Sequence, residues 1–271
     1  MQPGSEDNVG SRAAPAPSRS SRDSRRWRRA GLLTVVAAGL CGLAVSAAGV
    51  ASQVLPRRFT VVQQHKIESW EVARRWRALP KSAIFPSSVP YKLLGSDLYS
   101  SKDLPLKARR LGVSTPASCR SGASPAAARV LRQYRCAALL RATYTDATGS
   151  MVATVGVAVL SGSSAASTAE NRLSRQAGSP QPNVVRPAAV PGTLAARFKD
   201  PQRQVNVNSR AGPYLILATV GYTDGRPKVD MSDDPYLQDE MNSLAQGLDT
   251  AVTSVLGRPA PVPSCPGAPG C

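Results

Sequence analysis

The chain has 271 residues, a formal net charge of +17 and a single histidine, His65. Such a positive charge is usual in proteins that bind nucleic acid, but most of it lies in segments that we expect outside the cytoplasm, so we predict no nucleic-acid partner. A nucleophilic triad needs a base within hydrogen-bond reach, and the sequence contains no GxSxG, P-loop or GxGxxG motif. We therefore predict no catalytic residue, no cofactor and no metal site, and a protein that is not an enzyme.

An uncharged run at residues 30–55 directly follows the arginine-rich segment 24–29. As a helix rising ~1.5 Å per residue, this run would extend about 39 Å, which exceeds the ~30 Å hydrocarbon core of a bilayer. We predict a single transmembrane helix over 30–55. The alternative is a cleaved signal peptide, because small residues lie near the end of the run, although the apolar region of a signal peptide is normally shorter.

The flanks of this run predict its orientation. Residues 1–29 form a basic tail with a net charge of +4, and short basic flanks stay on the cytoplasmic side. Arg57 and Arg58 make the far flank basic as well, but long domains translocate largely regardless of charge. We expect a protein of the plasma membrane with a cytoplasmic N-terminus and an extracellular domain.

The cysteines agree with export. Cys41 lies in the predicted span, and four others follow it, at Cys119, Cys136, Cys265 and Cys271. An even number of cysteines beyond the membrane suits disulfide formation in an oxidising compartment. Three connectivities are compatible with four cysteines, and proximity in sequence favours pairing the first two and the last two. Free thiols are the alternative, whereas the wide spacing argues against a metal site.

The positive charge is concentrated near the membrane. Residues 56–141 have a net charge of +13, whereas residues 142–271 are neutral overall. Each Lys or Arg near an anionic membrane surface contributes about 1 kcal/mol of attraction. We therefore expect the basic half to contact anionic lipid or an anionic wall polymer.

A juxtamembrane helix is predicted within residues 56–80, because the apolar residues from 59 onwards recur near helical spacing and Pro80 ends the pattern. Tryptophan and arginine together are typical of helices at a membrane interface. The membrane-surface candidates are Arg57, Arg58, Trp70, Arg74, Arg75, Trp76 and Arg77. The alternative is that the two tryptophans pack on the adjoining domain.

The following segment, 81–257, is predicted to be one extracytoplasmic domain. Its first elements are a brief helix over 104–111 and a second helix over 126–134, which Ser124 can cap. A hairpin follows, with its loop at 146–149. In the first strand of the hairpin, alternation predicts a buried face with Leu140, Ala142 and Tyr144, and a solvent-facing side with Arg141, Thr143 and Thr145.

The second part of this domain is predicted to contain another helix, another hairpin and a final long helix. We predict a helix over 165–177, a proline-rich crossing over 178–191 and a hairpin around 209–213, whose return strand spans 214–222. A long amphipathic helix then ends at Gly257, with Ser232 or Asp233 as its cap. Asp230, Asp233 and Asp234 form an acidic cluster that could suggest calcium, but Asp233 and Asp234 are better explained as stabilising the positive end of this helix. The tail 258–271 is predicted to be irregular.

These elements predict an α+β fold, in which an antiparallel sheet has helices packed on one face and a transmembrane helix precedes the domain. The element order, the strand CAALLRATYTD and the strand end VGYTDGR resemble uncharacterised single-pass envelope proteins of high-GC actinobacteria. More loosely, residues 126–257 are similar to the extracytoplasmic sensor-type domains of these bacteria. The resemblance implies a fold and an address, and no functional residue follows from it.

The function predicted from these features is a membrane-anchored, non-catalytic binding or interaction module of the cell envelope. It would contact the membrane through its basic half and an unknown envelope protein through its sheet domain. One alternative is an envelope enzyme, a hydrolase that uses carboxylates. Another is a membrane assembly subunit, because Ala38, Gly42 and Ser46 recur at four-residue steps and permit close contact between helices.

Overall fold

The computed structural model describes residues 56–57, 59–92, 106–175, 184–230, 235–260 and 265–266. The predicted span 30–55 and several residues singled out from the sequence, namely Arg58, Cys41, Cys271, Ser232 and Asp233, lie outside these ranges. Within the described ranges, no helix combines the length and the apolar character needed to cross a membrane.

The described residues form six helices and eight strands. The helices are α1 (Val61–Ala78), α2 (Lys81–Ile84), α3 (Cys119–Gly122), α4 (Pro125–Gln133), α5 (Ser163–Ser174) and α6 (Pro235–Leu256). The strands are β1 (Pro56–Arg57), β2 (Ser88–Tyr91), β3 (Leu106–Val113), β4 (Ala138–Thr145), β5 (Met151–Val159), β6 (Arg203–Ala211), β7 (Tyr214–Tyr222) and β8 (Cys265–Pro266). A short 3₁₀ turn, Asp200–Gln202, precedes β6.

Six strands form one antiparallel sheet in the order β2-β3-β4-β5-β7-β6. The prediction of an α+β fold with an antiparallel sheet is confirmed, as are both hairpins, β4–β5 and β6–β7. Every residue of β5 and β7 is buried, because these strands lie in the middle of the sheet and both of its faces are covered. Their nearly continuous apolar sequence follows from that position.

The brief helix predicted over 104–111 is wrong, because this segment contains the strand β3. It pairs with β2 on one side and β4 on the other, with a bulge between Arg110 and Gly112. In the sequence, Pro105 near the start of this segment and Gly112 just after it fit the ends of a short helix. The hydrogen bonds with β2 and β4 outweigh this local preference. Both partner strands lie outside the segment 104–111, so the pattern within that segment does not reveal them.

Helices cover both faces of the sheet, so the prediction that they pack on one face is wrong. On the first face, α6 buries Met241, Leu244, Leu248, Val252 and Leu256 against β5 and β7. On the second face, α4 and α5 bury a separate cluster that includes Leu131 and Leu173. The side chains of each central strand alternate between these two clusters.

The prediction of a solvent-facing side on β4 is also wrong. Thr143 and Thr145 are buried, with 1% and 2% of their surface exposed. Residues 184–199, which we call the crossing segment, cover Thr143: its hydroxyl donates to the carbonyl of Ala188 at 2.7 Å, and the Ala188 N–H donates to the hydroxyl of the neighbouring Thr154 at 3.1 Å. The Thr145 hydroxyl donates to the carbonyl of Met151 at 2.9 Å within the hairpin. Threonine is tolerated in the interior here because its hydroxyl finds these backbone partners.

The local signals for helix ends are confirmed at several positions. Ser124 caps α4 through the N–H of Ala127. The N–H of Gly257 donates to the carbonyl of Thr253 at 2.8 Å, where α6 ends. The structure adds a start signal that was not predicted: α1 begins at a capping box formed by Thr60 and Gln63, in which side chain and backbone satisfy each other's hydrogen bonds.

The described chain separates into two compact units, of which the larger, Thr60–Val262, contains α1 and the whole six-stranded sheet. The other unit includes β1 and β8, which pair antiparallel through Pro56 with Pro266 and Arg57 with Cys265. The tail predicted to be irregular therefore contributes one short strand.

Candidate functional site

One surface of α1 carries several of the residues that the sequence assigned to the membrane. Val62, Lys66, Trp70, Arg74 and Arg77 are exposed and recur at steps of three or four residues, so they share one face of the helix. Trp70 has 58% of its surface exposed. The Arg74 guanidinium lies 4.1 Å from the centre of the Trp70 ring and also contacts Glu71.

Two further candidates from this set have different positions. Trp76 is partly buried against the core of the first face, and the Arg77 guanidinium lies 4.4 Å from the centre of its ring. Arg75 donates from Nη1 to the carbonyl of Leu256 at 2.8 Å, at the C-terminal end of α6. A cation at this end of a helix satisfies a free carbonyl and suits the helix dipole. Trp76 and Arg75 therefore hold α1 on the domain, and Arg57 is described only as the backbone of β1.

The predicted disulfide between Cys119 and Cys136 is confirmed, with its sulfur atoms 2.00 Å apart and its Cα atoms 6.2 Å apart. Cys119 begins α3, and Cys136 lies between α4 and β4, so the bond closes a loop around α4. The suggested pair of Cys265 and Cys271 stays a prediction, because Cys271 lies outside the described residues.

A groove of about 780 Å³ lies beside this disulfide. Four arginines line it, at Arg120, Arg129, Arg132 and Arg186, and we refer to it as the arginine groove. The other lining residues are Ser118, Cys119, Ser121, Pro125, Ala128 and Cys136. No acidic side chain is among them. A cleft lined by charges of one sign concentrates ions of the opposite sign.

Arg186 continues from the groove into the protein. It belongs to the crossing segment, and its Nε lies 3.4 Å from Asp200 Oδ2. Arg203 lies on the other side of the same carboxylate, with its Nε 3.6 Å from Oδ1, and only 11% of its side chain is exposed. Arg141, from the second face of β4, donates from Nη1 to the carbonyl of Arg186 at 3.2 Å. These four residues form the inner arginine cluster.

The inner arginine cluster holds more positive than negative charge. Two guanidinium groups, of Arg186 and Arg203, share the carboxylate of Asp200, and that of Arg141 lies beside Arg186. Burial is the main cause that lowers the pKa of Arg141 and of Arg203 below the ordinary value. The nearby guanidinium of Arg186 lowers both pKa values further, whereas Asp200 opposes the shift at Arg203. The arrangement thus favours an additional anion.

Hydrogen bonding in this cluster is also incomplete. Four buried atoms have no hydrogen-bond partner among the described residues: Arg141 Nε, Arg186 Nε, Arg203 Nη1 and Asp200 Oδ1. A fifth, Thr219 Oγ1, lies on the same face of the sheet. Buried polar groups are nearly always paired in native proteins. Three of these four atoms are donors, although Arg186 Nε lies 3.4 Å from Asp200 Oδ2, so the cluster has donor capacity left for a further acceptor.

The arginine groove was not predicted from the sequence. Arg186 and Arg203 lie in the half of the chain whose charges cancel, and Arg186 is more than fifty residues from Arg132. The only usable signal was the excess of arginine in residues 56–141, which includes three of the four lining arginines. Only the crossing segment brings Arg186 to the others.

Two aspartates that could be considered as catalytic carboxylates, Asp146 and Asp224, each have a partner within their own turn. Asp146 accepts hydrogen bonds from the N–H groups of Met151 and Thr148 at 2.8 and 3.0 Å, inside the β4–β5 turn. Asp224 pairs with Arg226 in the turn after β7. No group of three or more His, Cys, Asp or Glu residues in the described ranges could hold a metal ion.

No protein-family model, no curated protein and no solved structure matches the chain.

Proposed function

We propose that the protein is a membrane-anchored, non-catalytic binding module of the cell envelope, and that the exposed face of α1 lies against an anionic membrane surface. The observation that carries this proposal is the exposure of Trp70 beside Arg74 on the same helix face. An exposed tryptophan next to cations is typical of helices at the headgroup level, where the ring enters the interface and the cations meet lipid phosphates.

The remainder of that helix face supports the same function. Val62, on the same face as Trp70, is also among the large apolar side chains that are exposed, at 65%. Lys66 and Arg77 add positive charge around Trp70. The opposite side of α1 buries Val72 in the core of the first face, so the helix is held firmly while its cationic and aromatic side stays available.

The alternative of a carboxylate-dependent hydrolase has less support. Burial, together with the charge of Asp146, raises the pKa of Glu240, which is a property that general acids share. However, the two oxygens of Asp146 already accept hydrogen bonds within its turn. The alternative of a membrane assembly subunit rests on residues outside the described ranges and stays a prediction.

A vesicle-binding experiment tests the proposal. A fragment of residues 60–262, which retains the larger compact unit, should co-sediment with anionic vesicles and not with neutral ones. Binding should weaken as salt rises, because the Debye length falls to ~3 Å at 1 M. The double substitution Trp70→Ala/Arg74→Gln should weaken binding by about tenfold or more, since burial of a large apolar side chain contributes about 1.5–3 kcal/mol.

A matched control is available on another surface. Tyr236 has 54% of its surface exposed on α6, and Arg175 is exposed at the end of α5. The double substitution Tyr236→Ala/Arg175→Gln also removes one aromatic ring and one positive charge, and it should leave vesicle binding unchanged. Equal losses in the two variants, or no binding at low salt, would contradict a role for α1.

A further inference from the structure

The arginine groove has the composition of an anion site with an apolar floor. Arg120 and Arg132 are exposed, and no salt bridge joins Arg120, Arg129 or Arg132 to a carboxylate in the described residues. Between them lie Ala128, Pro125 and the disulfide. Small-molecule sites commonly combine such an apolar lining with a few polar groups that fix the orientation of the ligand.

The inner arginine cluster extends this site into the protein. Arg186 lines the groove, and Arg141 and Arg203 lie behind it. Each of the three has a buried nitrogen atom that makes no hydrogen bond in the described part of the chain, although Arg186 Nε lies 3.4 Å from Asp200 Oδ2. An excess of partly buried positive charge is unfavourable unless an anion compensates it, and Arg186 belongs both to the groove lining and to the cluster.

The number of donors favours a phosphate group over a single carboxylate. Guanidinium groups bind phosphate oxygens in pairs of parallel hydrogen bonds, and several can surround one tetrahedral anion. Four arginines line the groove, and among the described residues only Arg186 has an acidic side chain within salt-bridge distance, at 3.4 Å from Asp200. A dianion meets this charge better than a monoanion does.

The position of the groove also separates it from the proposed membrane surface. α1 packs on the first face of the sheet, whereas α4 and the disulfide belong to the second face. A bilayer lying along α1 would therefore not reach the groove on the opposite side of the sheet. This geometry favours a ligand from the aqueous side.

We propose that the arginine groove binds a soluble phosphate ester, whose phosphate contacts Arg186 and the arginines of α3 and α4 while its apolar substituent lies on the disulfide and Ala128. This site goes beyond the membrane contact of α1 and does not depend on it.

Calorimetric titration of the full-length chain in detergent micelles tests this site, with phenyl phosphate, inorganic phosphate and phenol as probes. Phenyl phosphate should bind with one site per chain and more tightly than inorganic phosphate, and phenol should not bind. The double substitution Arg120→Gln/Arg132→Gln should weaken phenyl phosphate by about tenfold or more, because each charge-assisted hydrogen bond contributes more than a neutral one. Both arginines are exposed, so the variant should fold normally.

The matched control is Arg175→Gln/Arg258→Gln, which removes two exposed arginines outside the groove lining. Its affinity should stay within about twofold of the parent, since isolated surface charges contribute little. Arg186→Lys keeps the positive charge but loses the paired donors of the guanidinium group. It should therefore bind phenyl phosphate more weakly than the parent does at the same salt concentration. Absence of binding by both phosphates, or equal losses in the two double variants, would overturn the proposal.

A vesicle arm identifies the source of the phosphate. Anionic vesicles should bind the parent and Arg120→Gln/Arg132→Gln equally, because the proposed ligand is soluble. A parallel loss of vesicle binding in this variant would overturn the assignment to a soluble ester. Loss of vesicle binding in the Trp70 variant alone concerns α1 only, so the two proposals fail separately.

Discussion

The hydroxyl of Tyr214 donates a hydrogen bond to the carbonyl oxygen of Val72 at 2.5 Å and accepts one from the N–H of Trp76 at 3.3 Å. Tyr214 begins β7 and is fully buried. Its hydroxyl thus contacts both ends of one turn of α1. This relationship joins α1 to the sheet and makes the helix part of the larger compact unit.

Replacement of Tyr214 by phenylalanine should therefore loosen α1 while leaving the sheet intact. We expect the free energy of unfolding to fall by about 0.5–1.5 kcal/mol, the typical net contribution of one hydrogen bond. Hydrogen exchange at the Trp76 amide should accelerate. Tyr236→Phe, at an exposed tyrosine, is the control and should change neither quantity. An unchanged exchange rate in Tyr214→Phe would show that the hydroxyl does not hold the helix.

The disulfide gives a second prediction. Residues 60–262 contain Cys119 and Cys136 and no other cysteine, so a fragment of this length isolates the effect of one bond. The double substitution Cys119→Ser/Cys136→Ser should lower the free energy of unfolding by about 3 kcal/mol, because the cross-link restricts the unfolded chain. Urea unfolding measures the loss. A reductant should destabilise the parent fragment similarly and leave the variant unaffected; a reductant effect on the variant would contradict the assignment.

The close approach of the 3₁₀ turn to β7 gives a third prediction. A Cβ atom at Gly221 would lie 2.3 Å from the backbone oxygen of Gln202 and 2.7 Å from Cε2 of Phe198. The backbone atom cannot rotate away, so Gly221→Ala should lower the free energy of unfolding by about 1–3 kcal/mol or more.

The matched glycine control lies at the start of α5. A Cβ at Gly162 would have no atom within 4 Å, and its φ of 170° is ordinary extended backbone. Gly162→Ser should change stability by only a few tenths of a kcal/mol, about the difference between these residues as helix caps. Urea unfolding of both variants tests the pair, and a near-neutral Gly221→Ala would show that β7 and the turn can separate at little cost.

Asp249 gives a prediction about pH. Burial raises its pKa above the ordinary value of 3.8, nearby Glu170 adds to the shift, and the hydrogen bond from the Ser209 hydroxyl, at 2.6 Å, opposes it. The folded state therefore binds the proton more tightly than the unfolded state. Its contribution to stability is fully present below pH 3.8 and is lost as the pH rises through the folded-state pKa.

Asp249→Asn should abolish this part of the pH dependence, because the amide carries no charge and its oxygen can still accept from Ser209. The free energy of unfolding, measured by urea titration across the acid range, should decline less with rising pH in the variant than in the parent. Ser209→Ala removes the opposing hydrogen bond and should make the decline steeper. Parallel pH profiles for the parent and Asp249→Asn would exclude a raised pKa at this residue.

Several features could be predicted because they depend on short segments. The turn at residues 146–149 and the glycine at 212 define the two hairpins, and Ser124 with Pro125 marks the start of α4. Cys119 and Cys136 are near enough in sequence for proximity to suggest their bond. Each of these signals lies within about twenty residues of the structure that it determines.

Other features could not be predicted because they depend on distant partners. The segment containing β3 has the punctuation of a helix, and its strand form depends on pairing with β2 and β4. Thr143 alternates like a solvent-facing residue, and its burial depends on the Ala188 carbonyl, 45 residues away. Val72 is buried and Trp70 is exposed on the same helix, and this difference depends on the sheet that α1 packs against.

The amino-acid sequence by itself determined the composition of this protein's elements: alternating strands, amphipathic helices, a basic N-terminal half and a disulfide around α4. These depend on local periodicity, turn chemistry and charge, which neighbouring residues express without help from the rest of the chain. Only the tertiary structure decided that helices cover both faces of the sheet and that the crossing segment carries Arg186 to the arginines of α3 and α4. The physical reason is that burial and electrostatic fields depend on distance in space, which the folded chain alone establishes.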